Sequence, residues 1–114
     1  MARLSTHVLD TVHGVPAPGV KLRLERIEAG GAVTVCETAT NADGRTDQPL
    51  MSGDALVTGT YQIVFSVRDY FTRRGVACPF LNEVPIRFEI ADAAGHYHVP
   101  LVVTPWSFST YRGS

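Results

Sequence analysis

The chain has 114 residues, 45% of them hydrophobic, with ten glycines, seven prolines and a formal net charge of -1. That length predicts one domain spanning residues 1–114, able to bury roughly 65% of its unfolded surface without staples. The near-neutral charge lacks the basic surplus of a nucleic-acid or anionic-membrane footprint, and with no secretory core in MARLSTHVLD and no apolar run near the ~20 residues of a membrane span, a cytoplasmic location is expected.

Strand signals dominate, in runs of about five to nine residues between Gly, Pro, Asn and Asp. Leu4 to Asp10 reads as the first strand, with Leu4, Thr6 and Val8 on one face and Ser5, His7 and Leu9 on the other. His13 to Gly19 is a turn-rich connection. VKLRLERIE then alternates Val20, Leu22 and Leu24 with charged residues, as a half-exposed strand does. Gly30-Gly31 predicts a tight hairpin turn into AVTVCETAT. In the polar stretch Thr40 to Leu50, the turn signal Asp43-Gly44 delivers Arg45 immediately after it.

Ala55 to Val67 carries another strand, with Tyr61, Ile63, Phe65 and Val67 sharing a face. RDYFTRRG is the one helical candidate, closed by Gly75. Pro79 and Pro85 read as breakers, followed by a strand in IRFEIAD. His96 to Thr104 and Ser107 to Tyr111 form the last two strands, with His98 to Val103 expected at the sandwich edge. The sum is all-β, an antiparallel β-sandwich of about eight strands with one short helix. Its edge strands need protection or a use, and homo-oligomerisation supplies one.

The final stretch, HYHVPLVVTPWSFSTYRGS, is apolar and aromatic where frayed tails are charged. It reads as a last core strand or as a terminus placed inside a site. Four features resist a purely structural account: His7, Arg45, His98 and the terminal Tyr111-Arg112-Gly113-Ser114. Singly, each fits a solvated or hydrogen-bonded surface residue. Cys36 and Cys78 have no metal-ligand spacing and read as free, buried thiols. His96 and His98 are the one metal-like pair, i and i+2 on a strand face, and without a third ligand no metal is expected. Nucleophile-elbow, P-loop and dinucleotide motifs are absent.

LSTHVLDTVHGVPAPGV, TNADGRT and HYHVPLVVTPWSFSTYRGS resemble the 5-hydroxyisourate hydrolases, transthyretin-related proteins of purine breakdown. The terminal Tyr-Arg-Gly-Ser is the most specific part, since it separates these hydrolases from the hormone-carrier transthyretins. The resemblance implies a prealbumin-like sandwich assembled as a homotetramer, a dimer of dimers with active sites in clefts at the dimer-dimer interface. It also implies cofactor-free hydrolysis of 5-hydroxyisourate to 2-oxo-4-hydroxy-4-carboxy-5-ureidoimidazoline, on the route from urate to allantoin.

By the same resemblance, His7, Arg45 and His98 are catalytic, and Tyr111, Arg112, Gly113 and Ser114 bind substrate. One histidine would take a proton from water while the other orients, and Arg45 would hold the substrate and stabilise charge on the attacked carbonyl oxygen. The rival reading is a transthyretin-like carrier of a small ligand without catalytic activity, whose apolar channel has no need of this polar set. A purely structural β domain ranks last.

Overall fold

Period-two alternation turns most of the chain into strands, because residues i and i+2 then share one buried face. The computed structural model describes residues 2–113. Among them it contains β1 (Arg3–Asp10), β2 (Val15–Pro16), β3 (Lys21–Glu28), β4 (Gly31–Ala39), β5 (Met51–Ser52), β6 (Gly59–Ser66), α1 (Val67–Arg73), β7 (Glu83–Ile90), β8 (His96–Val103) and β9 (Phe108–Thr110), with a 3-10 turn at Gly53–Ala55. One sheet runs β2-β1-β8-β9, with β5 also paired to β1, and the other runs β4-β3-β6-β7. Among the described residues, no helix is long and apolar enough to cross a membrane.

The two sheets enclose a core of fully buried side chains that includes Leu4, Val8, Leu24, Tyr61, Ile63, Phe65 and Leu101, with Tyr70 and Phe71 of α1 packed into it. Each large apolar side chain so buried contributes about 1.5–3 kcal/mol. On β1, Leu4, Thr6 and Val8 point inward and Ser5, His7 and Leu9 stay half-exposed, so the faces follow the alternation.

Several local features differ from the sequence expectation, each for a physical reason. β2 and β5 are two residues long, too short to leave a periodic trace. Pairing is antiparallel throughout except between β1 and β8, which run parallel from Arg3↔His96 to Asp10↔Val103. β8 is therefore flanked by β1 and β9, and the edge position expected of His98 to Val103 falls to β9 instead.

Pro85 lies inside β7 opposite Val64 and breaks nothing, because β7 is an edge strand where a missing donor costs no ladder bond. The β3-β4 hairpin closes on Ala29-Gly30, with Glu28 opposite Gly31, and the positive φ of +125° belongs to Gly31 at the start of β4. The strand expected from Ala55 begins only at Gly59, since Gly53–Ala55 forms the 3-10 turn. Helix α1 does end as expected. Gly75 adopts φ +75°, Val76 N–H donates to the Phe71 carbonyl at 2.9 Å, and Gly75 N–H donates to Thr72 at 3.0 Å.

β1 ends on Asp10, whose side chain is fully buried. Its carboxylate accepts from the backbone N–H groups of Val12 and His13 at 2.9 and 3.0 Å, from His13 Nδ1 at 2.6 Å and from the Tyr70 hydroxyl at 2.7 Å. Burial pushes this carboxyl up, but the hydrogen bonds from Tyr70 and His13 outweigh it and leave it below the usual range. Burial and the Asp10 charge push the Tyr70 phenol up to about 12. A lowered carboxyl contributes stability above its unfolded value and loses it as pH falls through its folded value. Tyr70→Phe is therefore expected to cost about 1.5–3 kcal/mol at neutral pH by urea denaturation, the usual worth of a hydrogen bond to a charged group, with the penalty narrowing in acid.

Candidate active site

The parallel register sets Ser5 beside His98 and His7 beside Pro100. Paired residues of neighbouring strands point to the same side, so Arg3, Ser5 and His7 of β1 share the outer face of the sheet with His96 and His98 of β8. Across this face Ser5 Oγ lies 2.9 Å from His98 Nδ1.

Arg45 arrives on a loop shaped by side-chain and backbone bonds. Asn41 Oδ1 accepts from Asp43 N–H at 2.9 Å and Arg45 N–H at 3.2 Å, while Asn41 N–H donates to the Arg45 carbonyl at 2.6 Å. Gly44 adopts φ +74° and its carbonyl accepts from Val8 N–H at 2.8 Å. A Cβ at this position would sit 2.5 Å from the Val8 carbonyl oxygen, so only glycine lets the loop lie this close to β1. His7 and Arg45 form an isolated bridge there, and His7 Nε2 lies 2.9 Å from the Asp43 carbonyl. A carbonyl only accepts, which assigns the proton to Nε2 and leaves the lone pair of neutral His7 on Nδ1.

The tail closes the other side. β9 runs antiparallel to β8 with Thr110 opposite Leu101, and the same register carries Gly113 opposite His98, where its N–H donates to the His98 carbonyl at 2.7 Å. A Cβ on Gly113 would come within 2.6 Å of His98 Cδ2, so the backbone rests directly against the imidazole. Arg45, His98, Tyr111 and Gly113 thereby line one open cavity of about 400 Å³ together with Arg3 and Ser5.

His7 stands beside this wall, its ring 6.5 Å from that of His98 between centroids. Arg112 turns away. Its guanidinium lies 4.4 Å from the Tyr97 ring centroid and donates to the His96 carbonyl at 3.0 Å, on a neighbouring apolar groove with Ile86, Phe88 and Val99. Ser114 lies outside the described residues. Sequence reasoning missed Arg3 and Ser5. The signal was available, because both sit at i-2 steps from His7 on the same strand face. The Asp43 carbonyl had no such signal, being a backbone group.

The cavity is cationic. Among the described residues neither Arg3 nor Arg45 forms a salt bridge. Burial lowers the His98 pKa, helped by the charges of Arg45, His7 and Arg3. Burial and then Arg45 also lower that of His7, against an opposing pull from Asp43. Both rings are therefore neutral at pH 7, with a lone pair available to accept a proton. Because the folded values lie below the unfolded one, these histidines bind fewer protons in the folded state, and stability falls as pH drops below about 6.5. Histidine NMR titration should place His98 below 6.5, and Arg45→Gln should move its midpoint upward, because a cation that disfavours the imidazolium has been removed.

The family model described as HIUase/Transthyretin family matches residues 4–113. A 5-hydroxyisourate hydrolase of Pseudomonas aeruginosa is 50% identical over 117 residues, which cover 100% of this chain and 93% of that protein. Among solved structures, an (S)-allantoin synthase superposes with a TM-score of 0.93 at 43% identity, covering 99% of this chain. The chain spans 44% of that longer protein. The 5-hydroxyisourate hydrolase of Klebsiella pneumoniae superposes with a TM-score of 0.83 at 36% identity over the whole of both chains.

Proposed function

From the premise that the chain belongs to the HIUase/transthyretin family, we infer that it hydrolyses 5-hydroxyisourate to 2-oxo-4-hydroxy-4-carboxy-5-ureidoimidazoline, between urate oxidation and allantoin. Water adds to a ring carbonyl carbon, the C–N bond of that cyclic amide breaks, and the freed nitrogen takes a proton while a carboxylate remains. The observation that carries this reading is the meeting of a neutral histidine, His98, and an arginine without a carboxylate partner among the described residues, Arg45, in one polar cavity. Full-length likeness to a protein named as a hydrolase supports it.

His98 stands on the cavity wall and takes the proton of the attacking water, a contribution of roughly 10²–10⁴-fold. Arg45 binds the planar, oxygen-rich substrate and stabilises the oxyanion. His7 holds the Arg45 loop through the Asp43 carbonyl and so acts through Arg45. Tyr111 offers a ring and a phenol to the flat heterocycle, Gly113 seats the tail on His98, and Arg112 pins that tail from outside by its contacts with Tyr97 and His96. Ser114 is assigned to substrate binding by the family pattern. Acid-base and electrostatic groups of the chain suffice for this step, so no metal or cofactor is required. The carrier reading fares worse, since a wall with two arginines and two histidines suits a polar reactant rather than an apolar cargo.

The working unit is a homotetramer, a dimer of dimers, in the cytoplasm. Supporting self-association, Val12, Val15, Trp106 and Phe108 are 47%, 39%, 62% and 43% exposed. They lie at one end of the β1-β8 sheet, where Thr11 N–H donates to the Val103 carbonyl at 3.1 Å and holds the turn after β1 beside the end of β8. An apolar surface of this kind marks an interface.

Added to freshly generated 5-hydroxyisourate, the protein should accelerate loss of that compound's ultraviolet absorbance well beyond the spontaneous decay, and His98→Gln should lower kcat by about 10²–10⁴-fold. An unchanged decay with the parent protein would sink the hydrolase reading. Light scattering should give four times the chain mass, and Trp106→Glu should shift the population to smaller species that keep their β-sheet circular dichroism.

A further inference from the structure

We propose that Ser5 is a positioning residue, which fixes His98 as the Nδ1–H tautomer and leaves the Nε2 lone pair for the cavity that His98 lines. The proposal deepens the hydrolase reading and rests on it only for its kinetic readout.

Ser5 Oγ, at 2.9 Å, occupies His98 Nδ1, while Nε2 has no hydrogen-bond partner among the described residues. The ring cannot exchange its edges freely. The opposite edge, at Cδ2, lies against the Gly113 backbone, and the Gly113 N–H that a flipped nitrogen would need is already given to the His98 carbonyl. Nε2 is thus the nitrogen left to meet a reactant.

A hydroxyl can donate or accept, so the partner alone does not set the tautomer. Ser5 holds Nδ1 and so turns Nε2 toward the cavity, and the charges there then choose between the two tautomers. Arg3 and Arg45 line the same cavity, and a lone pair directed into positively charged space is favoured over an N–H bond directed there. With Nε2 carrying the lone pair, Nδ1–H donates to Ser5 Oγ, and the serine's own proton is free to donate to a substrate oxygen, since Ser5 also lines the cavity.

The choice of a neutral partner has a chemical consequence. A carboxylate at this place would orient the ring equally well but would stabilise the imidazolium and hold His98 protonated to higher pH. Serine orients without adding charge. The base stays neutral beside two arginines and is ready to accept a proton at pH 7.

In selectively ¹⁵N-histidine-labelled protein, with the His98 signals assigned by their loss in His98→Gln, two-bond correlations should show the proton on Nδ1 and a lone pair on Nε2. In Ser5→Ala this preference should be lost and kcat should fall about tenfold, the effect of one hydrogen bond, with KM little changed. Ser5→Thr keeps the oxygen in a strand-compatible side chain and should restore both. A proton on Nε2 in the parent protein would overturn the proposal without any variant being needed. So would Ser5→Ala with tautomer and kcat intact. An inactive parent protein would remove the hydrolase reading alone, and the spectrum would still decide what Ser5 does.

Discussion

The parallel ladder between β1 and β8 is the constraint on which the site depends. It joins the first strand to the penultimate one over eight residue pairs, and no local turn can enforce its register. Because side chains alternate faces, a slip of β1 by one residue would send Ser5 and His7 into the core, away from His98, and Leu4, Thr6 and Val8 to the surface. The burial of Leu4 and Val8 against the opposite sheet therefore does more than stabilise the sandwich. It fixes which histidine nitrogen meets which hydroxyl on the far side of the same strands.

One strand also supports two contrasting histidine environments. At its start and middle, Ser5 and the Asp43 carbonyl offer His98 and His7 uncharged partners, and arginines disfavour their protonation. At its end, His13 meets the buried Asp10 carboxylate at 2.6 Å, and that carboxylate also receives Tyr70 from α1. The charged cluster ties β1 to the helix and the following turn. The uncharged partners leave lone pairs free for chemistry.

Much of this was legible in the sequence because it is local. Alternation marked the faces of β1 and β3, Asp43-Gly44 marked the turn before Arg45, and Gly75 marked the end of α1. What escaped depends on partners distant in the chain. Nothing in the residues of β1 says that it pairs with β8 or that the pairing is parallel, so β8 looked like an edge. Pro85 looked like a breaker because its cost depends on whether the far side of β7 carries a neighbour, which is a property of the sheet. Ser5 escaped because a serine on a strand has no distinctive pattern, and it becomes informative only beside His98. Arg112 was grouped with its neighbours in the tail, yet alternation along an extended segment sends it to the opposite side from Tyr111 and Gly113, onto Tyr97.

The hydrogen bond between Ser5 and His98 spans 93 positions of the chain. Closing so long a loop is entropically costly and slow, and proteins built on such contacts fold by assembling nearer pairs first. The β3-β4 hairpin and the β6-α1-β7 segment can form from neighbours in sequence, whereas the ladder under the site requires the rest of the sandwich to be in place. Catalytic competence therefore belongs to the assembled sandwich, because neither the hairpin nor the helical segment alone brings Ser5 beside His98.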